Sequence, residues 1–201
     1  MIRADFHLHT CYSPDASIHP RTIADQLQAH PFIKAAAITD HNTLDGYFKV
    51  RELASPYPDI LIIPGIEIGA VEGDVIILGV EEKPPPPWTV RNLITFADKR
   101  NGIVIAAHPY RAPGLGDAAR EYDLDAIEVL NGISEPSANR EAEELAKAMG
   151  LPGVAGSDAH QEGQLWSVYT EVQASLTAEA VVESVRKGRV RVGFSGESIH
   201  F

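Results

Sequence analysis

The chain has 201 residues, 44% of them hydrophobic and 22% charged, a balance that suits one soluble globular domain with a sizeable core. Its formal charge of −11 and the lack of a Lys/Arg cluster argue against a nucleic-acid duplex as partner, because phosphate contacts need a basic footprint. No apolar stretch approaches about 20 residues and no charged-then-apolar signal opens the chain; Cys11 is the only cysteine, so an internal disulfide framework is excluded and the expected location is the cytoplasm, away from any membrane.

In chain order, apolar runs at 2–7, 35–39, 60–66, 75–80, 103–107, 126–130, 153–155 and 191–194 read as strands, and amphipathic stretches at 22–29, 44–54, 90–100, 136–149 and 178–187 read as helices. Thr177 before Glu179 marks a helix start, and Gly150 and Gly188 stand where glycines end helices. This alternation predicts parallel βαβ units in an α/β fold. Only residues 69–73 separate the third and fourth strands, which leaves no room for a helix there. The prolines at 84–87 form an extended spacer into the next helix, not a domain linker. No internal repeat is present, and one domain spanning 1–201 is expected.

Five of the eight histidines fall in short clusters with acids: Asp5-Phe6-His7-Leu8-His9, Asp40-His41-Asn42, His108-Pro109 and Asp158-Ala159-His160. To these belongs the lone carboxylate Glu67. Side chains two apart on an extended strand share a face, so Asp5, His7 and His9 line one side of the first strand. Imidazoles and carboxylates at such spacing are first-row metal ligands, and their repetition implies more than one ion. Each cluster falls at or just past the C-terminal end of a predicted strand, and in an α/β barrel those ends converge on the face that carries the active site. Glu67 follows an apolar run with no basic residue nearby in sequence. A buried carboxylate without a partner is costly, and a metal, or two metals bridged by it, resolves that cost. Arg111, three residues past His108, is placed to meet an anionic substrate. His19, His30 and His200 stand outside the clusters. Cys11 has no assembled base, and neither a Gly-x-Ser-x-Gly elbow nor a phosphate-cradling glycine loop is present.

Taken together these segments resemble the polymerase and histidinol phosphatase (PHP) superfamily of metal-dependent phosphoesterases. Four motifs in order carry the resemblance, from Asp5-Phe6-His7-Leu8-His9-Thr10 to Gly156-Ser157-Asp158-Ala159-His160, over nearly the whole chain. It implies a distorted (β/α)7 barrel with two or three divalent ions (Mn, Fe or Zn) at its C-terminal mouth. Carried over residue by residue, His7, His9, Glu67 and Asp158 hold the first ion. Glu67, as a bridge, and His108 hold the second. Asp15, from Tyr12-Ser13-Pro14-Asp15-Ala16, holds the third with His41 and His160. Asp5 and Asp40 orient ligand imidazoles from behind. Family members often add a histidine to the second ion from the fourth strand. Here the segment Asp74-Val75-Ile76-Ile77-Leu78-Gly79-Val80-Glu81 has none, and Glu81 is the residue expected to stand in. Some relatives follow the sixth strand with Asn-Gly-Arg or Asn-Ser-Arg, where this chain has Asn131-Gly132-Ile133.

The implied activity is hydrolysis of small phosphomonoesters or nucleotides by a metal-activated hydroxide, with Glu67, His108, Asp158 and Arg111 as the residues of the reaction. Two rival readings stand beside it. A C–N hydrolase of the amidohydrolase type would share the Asp5-x-His7-x-His9 strand, although its bridging residue is often a lysine and no lysine sits at a predicted strand end. A non-catalytic metal-binding PHP module would be signalled by lost ligands.

Overall fold

The computed structural model describes residues 1–196, so His200 lies outside them. Strands β1 (Ile2–Asp5), β2 (Ile33–Ile38) and β3 (Leu61–Gly69) are separated by helices α1 (Pro20–Ala29) and α2 (Asp45–Ala54). There follow β4 (Asp74–Leu78), α3 (Val90–Asp98), β5 (Ile103–Ala106), β6 (Ala126–Asn131), α4 (Pro136–Met149), β7 (Gly153–Gly156), β8 (Val168–Val172), α5 (Ala178–Arg186) and β9 (Val190–Phe194). Local signals place the helix ends. Thr177 accepts from the Ala180 amide at the start of α5, and Gly150 ends α4 with φ +68°, a left-handed conformation that favours glycine.

The strands form one sheet in the order β7-β6-β5-β4-β3-β2-β1-β8-β9. β1, β2 and β3 run parallel, as do β5, β6 and β7. The sheet curls until β7 meets the segment just past β1: Phe6 N donates to Ala155 O (3.3 Å), Asp158 N to His7 O (2.6 Å) and His9 N to Ala159 O (3.0 Å), and Leu8 bridges Ala159 in parallel. β1 to β7 thus make the expected barrel, nearly closed. β8 lies antiparallel to the lower half of β1, and its Thr170 hydroxyl bonds to both the amide and the carbonyl of Ala155 (2.7 and 3.1 Å).

Two features depart from the sequence expectation. β4 is antiparallel to both β3 and β5, because the short link 70–73 can only turn the chain back. β8 was not anticipated, although Val168-Tyr169-Thr170-Glu171-Val172 alternates buried with half-buried residues, the period-2 pattern of a half-covered strand.

Side-chain alternation sorts the apolar residues into two clusters. Ile38, Ile66, Val75, Ile77 and Val104 pack outward against the helices, while Ala35, Ala37, Ile63, Ile76 and Ile105 fill the barrel interior with Val181 and Val185 of α5. Along the interior columns the aliphatic residues give way to acids at the mouth. Ile63 is followed two and four residues on by Gly65 and Glu67, Ile76 is preceded by Asp74, and Ala126 is followed by Glu128. The closure at the mouth is tight, since a Cβ on Gly156 would lie 2.6 Å from His7 N.

Candidate metal centre

Closing β1 against β7 and β3 brings four donor atoms together. His7 Nε2 lies 3.2 Å from His9 Nε2, 3.3 Å from Glu67 Oε2 and 3.3 Å from Asp158 Oδ1. His9 Nε2 lies 3.3 Å from the same Glu67 oxygen and 3.2 Å from the same Asp158 oxygen. A tetrahedral ion with ligand bonds of about 2.0–2.1 Å has its ligands roughly 3.3–3.4 Å apart. Glu67 Oε2 and Asp158 Oδ1 are buried yet make no hydrogen bond, so the donor set fits a metal ion on both geometry and unmet polar demand.

Two neighbouring sets extend the centre. The other Glu67 oxygen, Oε1, lies 3.0 Å from His108 Nε2, which is 4.0 Å from both Asp74 Oδ2 and Asp158 Oδ2. At the outer side Asp15 Oδ2 lies 3.3 Å from His41 Nε2 and 3.4 Å from His160 Nε2, and His41 Nδ1 is 3.1 Å from Glu67 Oε2. Ligand atoms of His9, His41 and His160 also lie within 4.8 Å of one another, as do those of Glu67, Asp74 and His108. All eight expected ligand residues therefore meet at one mouth, with Glu67 facing each set.

The imidazoles are held from behind. His7 Nδ1 faces Glu128 Oε1 (3.0 Å), His9 Nδ1 the Ser13 hydroxyl (3.0 Å), His108 Nδ1 the Arg111 carbonyl (3.3 Å) and His160 Nδ1 the Asp158 carbonyl (2.8 Å). Each acceptor favours a proton on Nδ1 and leaves the Nε2 lone pair for the centre. Asp40 acts one step removed, accepting from Ser13 Oγ and from both the amide and the hydroxyl of Thr10 (2.7 Å each). Asp5 touches no ring. It accepts from the amides of His7 (3.3 Å) and Ser157 (2.8 Å), which ties β1 to β7. His108 and Asp158 carry φ of +26° and +53°, a conformation uncommon outside glycine. Bonds from His108 N to Glu128 Oε2 (2.8 Å) and from Asp158 N to His7 O hold them there.

Three residues of the mouth were given no role by the motifs. Glu128 uses both oxygens, on His7 and on the His108 amide, and Asn131 Nδ2 donates to it (3.1 Å) and to Asp158 Oδ2 (3.1 Å). The signal was present: a lone acid within an apolar strand, Ala126-Ile127-Glu128-Val129-Leu130. Asp74 is the third, and it corrects the expectation for Glu81. An antiparallel β4 carries its first residue to the mouth and its far end away from it. Glu81 instead accepts from Tyr47 Oη (2.7 Å) and Arg51 Nη1 (2.6 Å). Arg111 does reach the centre, with Nη2 on Asp158 Oδ2 and Nε donating to Ser134 Oγ (3.0 Å). His19 and His30 stay outside, accepting from local amides near the two ends of α1.

The charges are strongly coupled. Burial works against a proton on His7, but Asp158, Glu128 and Glu67 outweigh it and hold the imidazole well above its usual range. His9 is likewise raised to about 9, against burial, by Asp158 and Glu67. The same contacts keep Glu67 and Asp158 below the ordinary carboxylate range despite burial. Burial and then the Glu67 charge push Asp74 up to about 6, and burial raises Asp5 to about 7. Without ions, protons on two imidazoles balance the acids; divalent ions and those protons compete for one place.

Similarity to known proteins agrees with this arrangement. A family model described as "PHP domain" matches residues 5–110, and one described as "PHP-associated" matches 136–190. An uncharacterized protein of Methanocaldococcus jannaschii is 33% identical over 142 residues, covering 65% of this chain and 82% of that protein. Among solved structures, PsfC of Pseudomonas syringae PB-5123 superposes with a TM-score of 0.75 at 21% identity, covering 98% of this chain and 93% of that one. An amidohydrolase of Chromobacterium violaceum with bound sulfate and no metal gives 0.69 at 14% identity, covering 94% and 97%. A candidate metal-dependent phosphoesterase of Bifidobacterium adolescentis gives 0.64 at 19%, covering 94% and 96%.

Two outcomes are expected from this geometry. In Glu128→Gln an amide nitrogen must face either His7 Nδ1–H or the His108 amide, both donors, so divalent-ion affinity should fall about 10–100-fold; unchanged affinity in a chelator competition would mean that Glu128 does not hold the ligands. In ion-free protein the raised His9 contributes stability that is complete below its usual 6.5 and is lost as pH rises through about 9. Its melting temperature in chelator should therefore fall from pH 6.5 to 9, and ion-loaded protein should resist that fall. Ion-free protein as stable at pH 9 as at 6.5 would contradict the proton balance.

Proposed function

The chain belongs to the PHP-domain family, whose members are generally hydrolases, and from that premise we propose that it is a metal-dependent phosphoesterase acting on small phosphomonoesters or nucleotides. The observation that carries the reading is Glu67, with one oxygen turned to His7 and His9 and the other to His108, so that two adjacent ions would share it. His7, His9, Glu67 and Asp158 would hold the first ion, Glu67, His108 and Asp74 the second, and Asp15, His41 and His160 the third. Such ions supply Lewis acidity toward phosphoryl oxygen and toward water at near-neutral pH.

The chain's own groups account for the rest. Ser134 and Asp158 fix the Arg111 guanidinium over the mouth, where it meets the negative oxygens of a bound phosphoryl group. Among the described residues the hydroxyls beside the centre are committed, those of Thr10 and Ser13 to Asp40 and that of Ser134 to Asn131, and Cys11 is exposed with no hydrogen-bond partner for its thiol. Water is therefore the nucleophile: its oxygen bonds to phosphorus as the ester P–O bond breaks, and the leaving oxygen takes a proton. Glu128, Ser13 and Asp40 keep the imidazoles from turning during this exchange. Among the described residues no helix is long and apolar enough to cross a membrane, and the single cysteine fits the cytoplasm, where we place the protein.

Protein reconstituted with Mn²⁺, Fe²⁺ or Zn²⁺ should hydrolyse phosphomonoesters in a panel that also holds phosphodiesters and amides. Glu67→Gln should lower that rate by more than about 100-fold with an unchanged far-UV spectrum, since even the outer partners of metal ligands are worth 10–100-fold. Amide hydrolysis without phosphoester hydrolysis would favour a C–N hydrolase, and a fast Glu67→Gln enzyme would remove the shared carboxylate from the mechanism.

A further inference from the structure

The connections that follow β1, β2, β3, β5, β6 and β7 form the mouth, at residues 6–19, 39–44, 70–73, 107–125, 132–135 and 157–167. Between them they carry no lysine and only two arginines. Arg120 is paired with Asp117 (3.4 Å), so Arg111 is the one guanidinium at the centre. Glu135 and Glu162 are exposed in the same connections, the first beside Ser134 and the second two residues past His160. Tyr12 and Ile133 are 44% and 39% exposed. Tyr12 precedes Ser13, whose hydroxyl meets His9 Nδ1 (3.0 Å). Ile133 precedes Ser134, which accepts from Arg111 Nε (3.0 Å), and its own amide donates to Asn131 Oδ1 (3.2 Å). Gly132 and Ser134 border the cleft between α4 and β9 but Ile133 does not, so its side chain is turned from that cleft. Because β7 pairs with β6 on one side and meets Leu8 on the other, the loops of Ile133 and Tyr12 flank the loop that carries Asp158 and His160. Two strand spacings put those loops about 10 Å apart.

The ions and Arg111 together meet the charge of one phosphoryl group. A second anion on the same substrate finds no further cation in the mouth and two exposed carboxylates instead, which repel it. An uncharged apolar body, in contrast, covers the exposed surfaces of Ile133 and Tyr12 and takes them out of water. From this we infer that the mouth selects monoesters whose phosphoryl group is their only anion and whose leaving part is an uncharged aryl or alkyl body. Ile133, beside the residue that holds Arg111, sets the choice, and Tyr12 is the second support. The inference rests on the phosphoesterase reading and narrows its substrate class, setting aside bisphosphates and phosphorylated acids.

The test uses ion-loaded full-length protein, calorimetry and non-hydrolysable probes: methylphosphonate, phenylphosphonate and its 4-carbamoyl and 4-carboxy derivatives. Wild type should bind phenylphosphonate at least about tenfold more tightly than methylphosphonate, the scale of burying part of a ring. It should bind the 4-carboxy probe at least about threefold more weakly than the 4-carbamoyl probe of equal size, and added salt should close that gap by screening exposed charge. Ile133→Arg should reverse the order, favouring the carboxylate by about tenfold relative to wild type, the scale of one charge-assisted contact. Tyr12→Ala/Ile133→Ser should bring the phenyl-to-methyl ratio close to one. Equal binding of the phenyl and methyl probes by wild type, a 4-carboxy probe bound as well as the 4-carbamoyl one, or a phenyl preference kept by the double variant would overturn the selection. So would an Ile133→Arg protein with the wild-type melting temperature and the wild-type order of probes. Failure of the phosphoesterase reading shows differently, as a protein with all these preferences that leaves phenyl phosphate intact, and failure to bind any of the four probes would overturn both.

Discussion

Six carboxyl groups are buried in this barrel, on Asp5, Asp40, Glu67, Asp74, Glu128 and Asp158, against three buried imidazoles and no buried lysine or arginine among the described residues. Charge removed from water must be matched locally, because desolvation of an unpaired carboxylate exceeds what packing returns. Backbone amides and hydroxyls satisfy Asp5 and Asp40, and Glu128 is satisfied by His7, the His108 amide and Asn131. Glu67, Asp74 and Asp158 are left facing one another across the mouth. Positive charge between them is what the rest of the structure is arranged to receive.

The barrel supplies that arrangement cheaply. Interior columns are aliphatic below and acidic above, so the strands that build the core also deliver the ligands. Closure of β1 on β7 then sets His7 and His9 against Asp158. The three donor sets differ in chemistry: carboxylates dominate around His108, imidazoles around His160, and the central set holds two of each. Hard, oxygen-preferring ions suit the first, and borderline ions such as Zn²⁺ suit the others. The cations that can occupy the mouth are alike in replacing the protons of His7 and His9, which links ion binding to pH and to the stability of the closed barrel.

Much of this was legible in the sequence, for identifiable reasons. Ligand residues cluster at strand ends because a barrel gathers those ends. The strand-end clusters therefore disclosed the mouth and seven of the ligand-type residues brought to it, with Asp15 supplied only by the family resemblance. Asp74 was missed because strand direction is not written in a five-residue apolar run. Read as parallel, β4 offers Glu81 at its end; run antiparallel through a four-residue turn, it offers Asp74. Glu128 was missed because it belongs to no motif, though a single acid in a fully buried strand is itself a signal. Asp5 looked like a support for a ring, yet it binds amides, a distinction set by register between β1 and β7 that only the closed barrel defines.

The most direct test is the number of divalent ions held per chain, measured by elemental analysis after reconstitution with Mn²⁺, Fe²⁺ or Zn²⁺ and removal of free ions, with anomalous diffraction to locate them. Two or more ions per chain, with Glu67 between two of them, is the result expected. Less than one equivalent, or a single ion with Glu67 bound through one oxygen only, would contradict a shared-carboxylate metal centre.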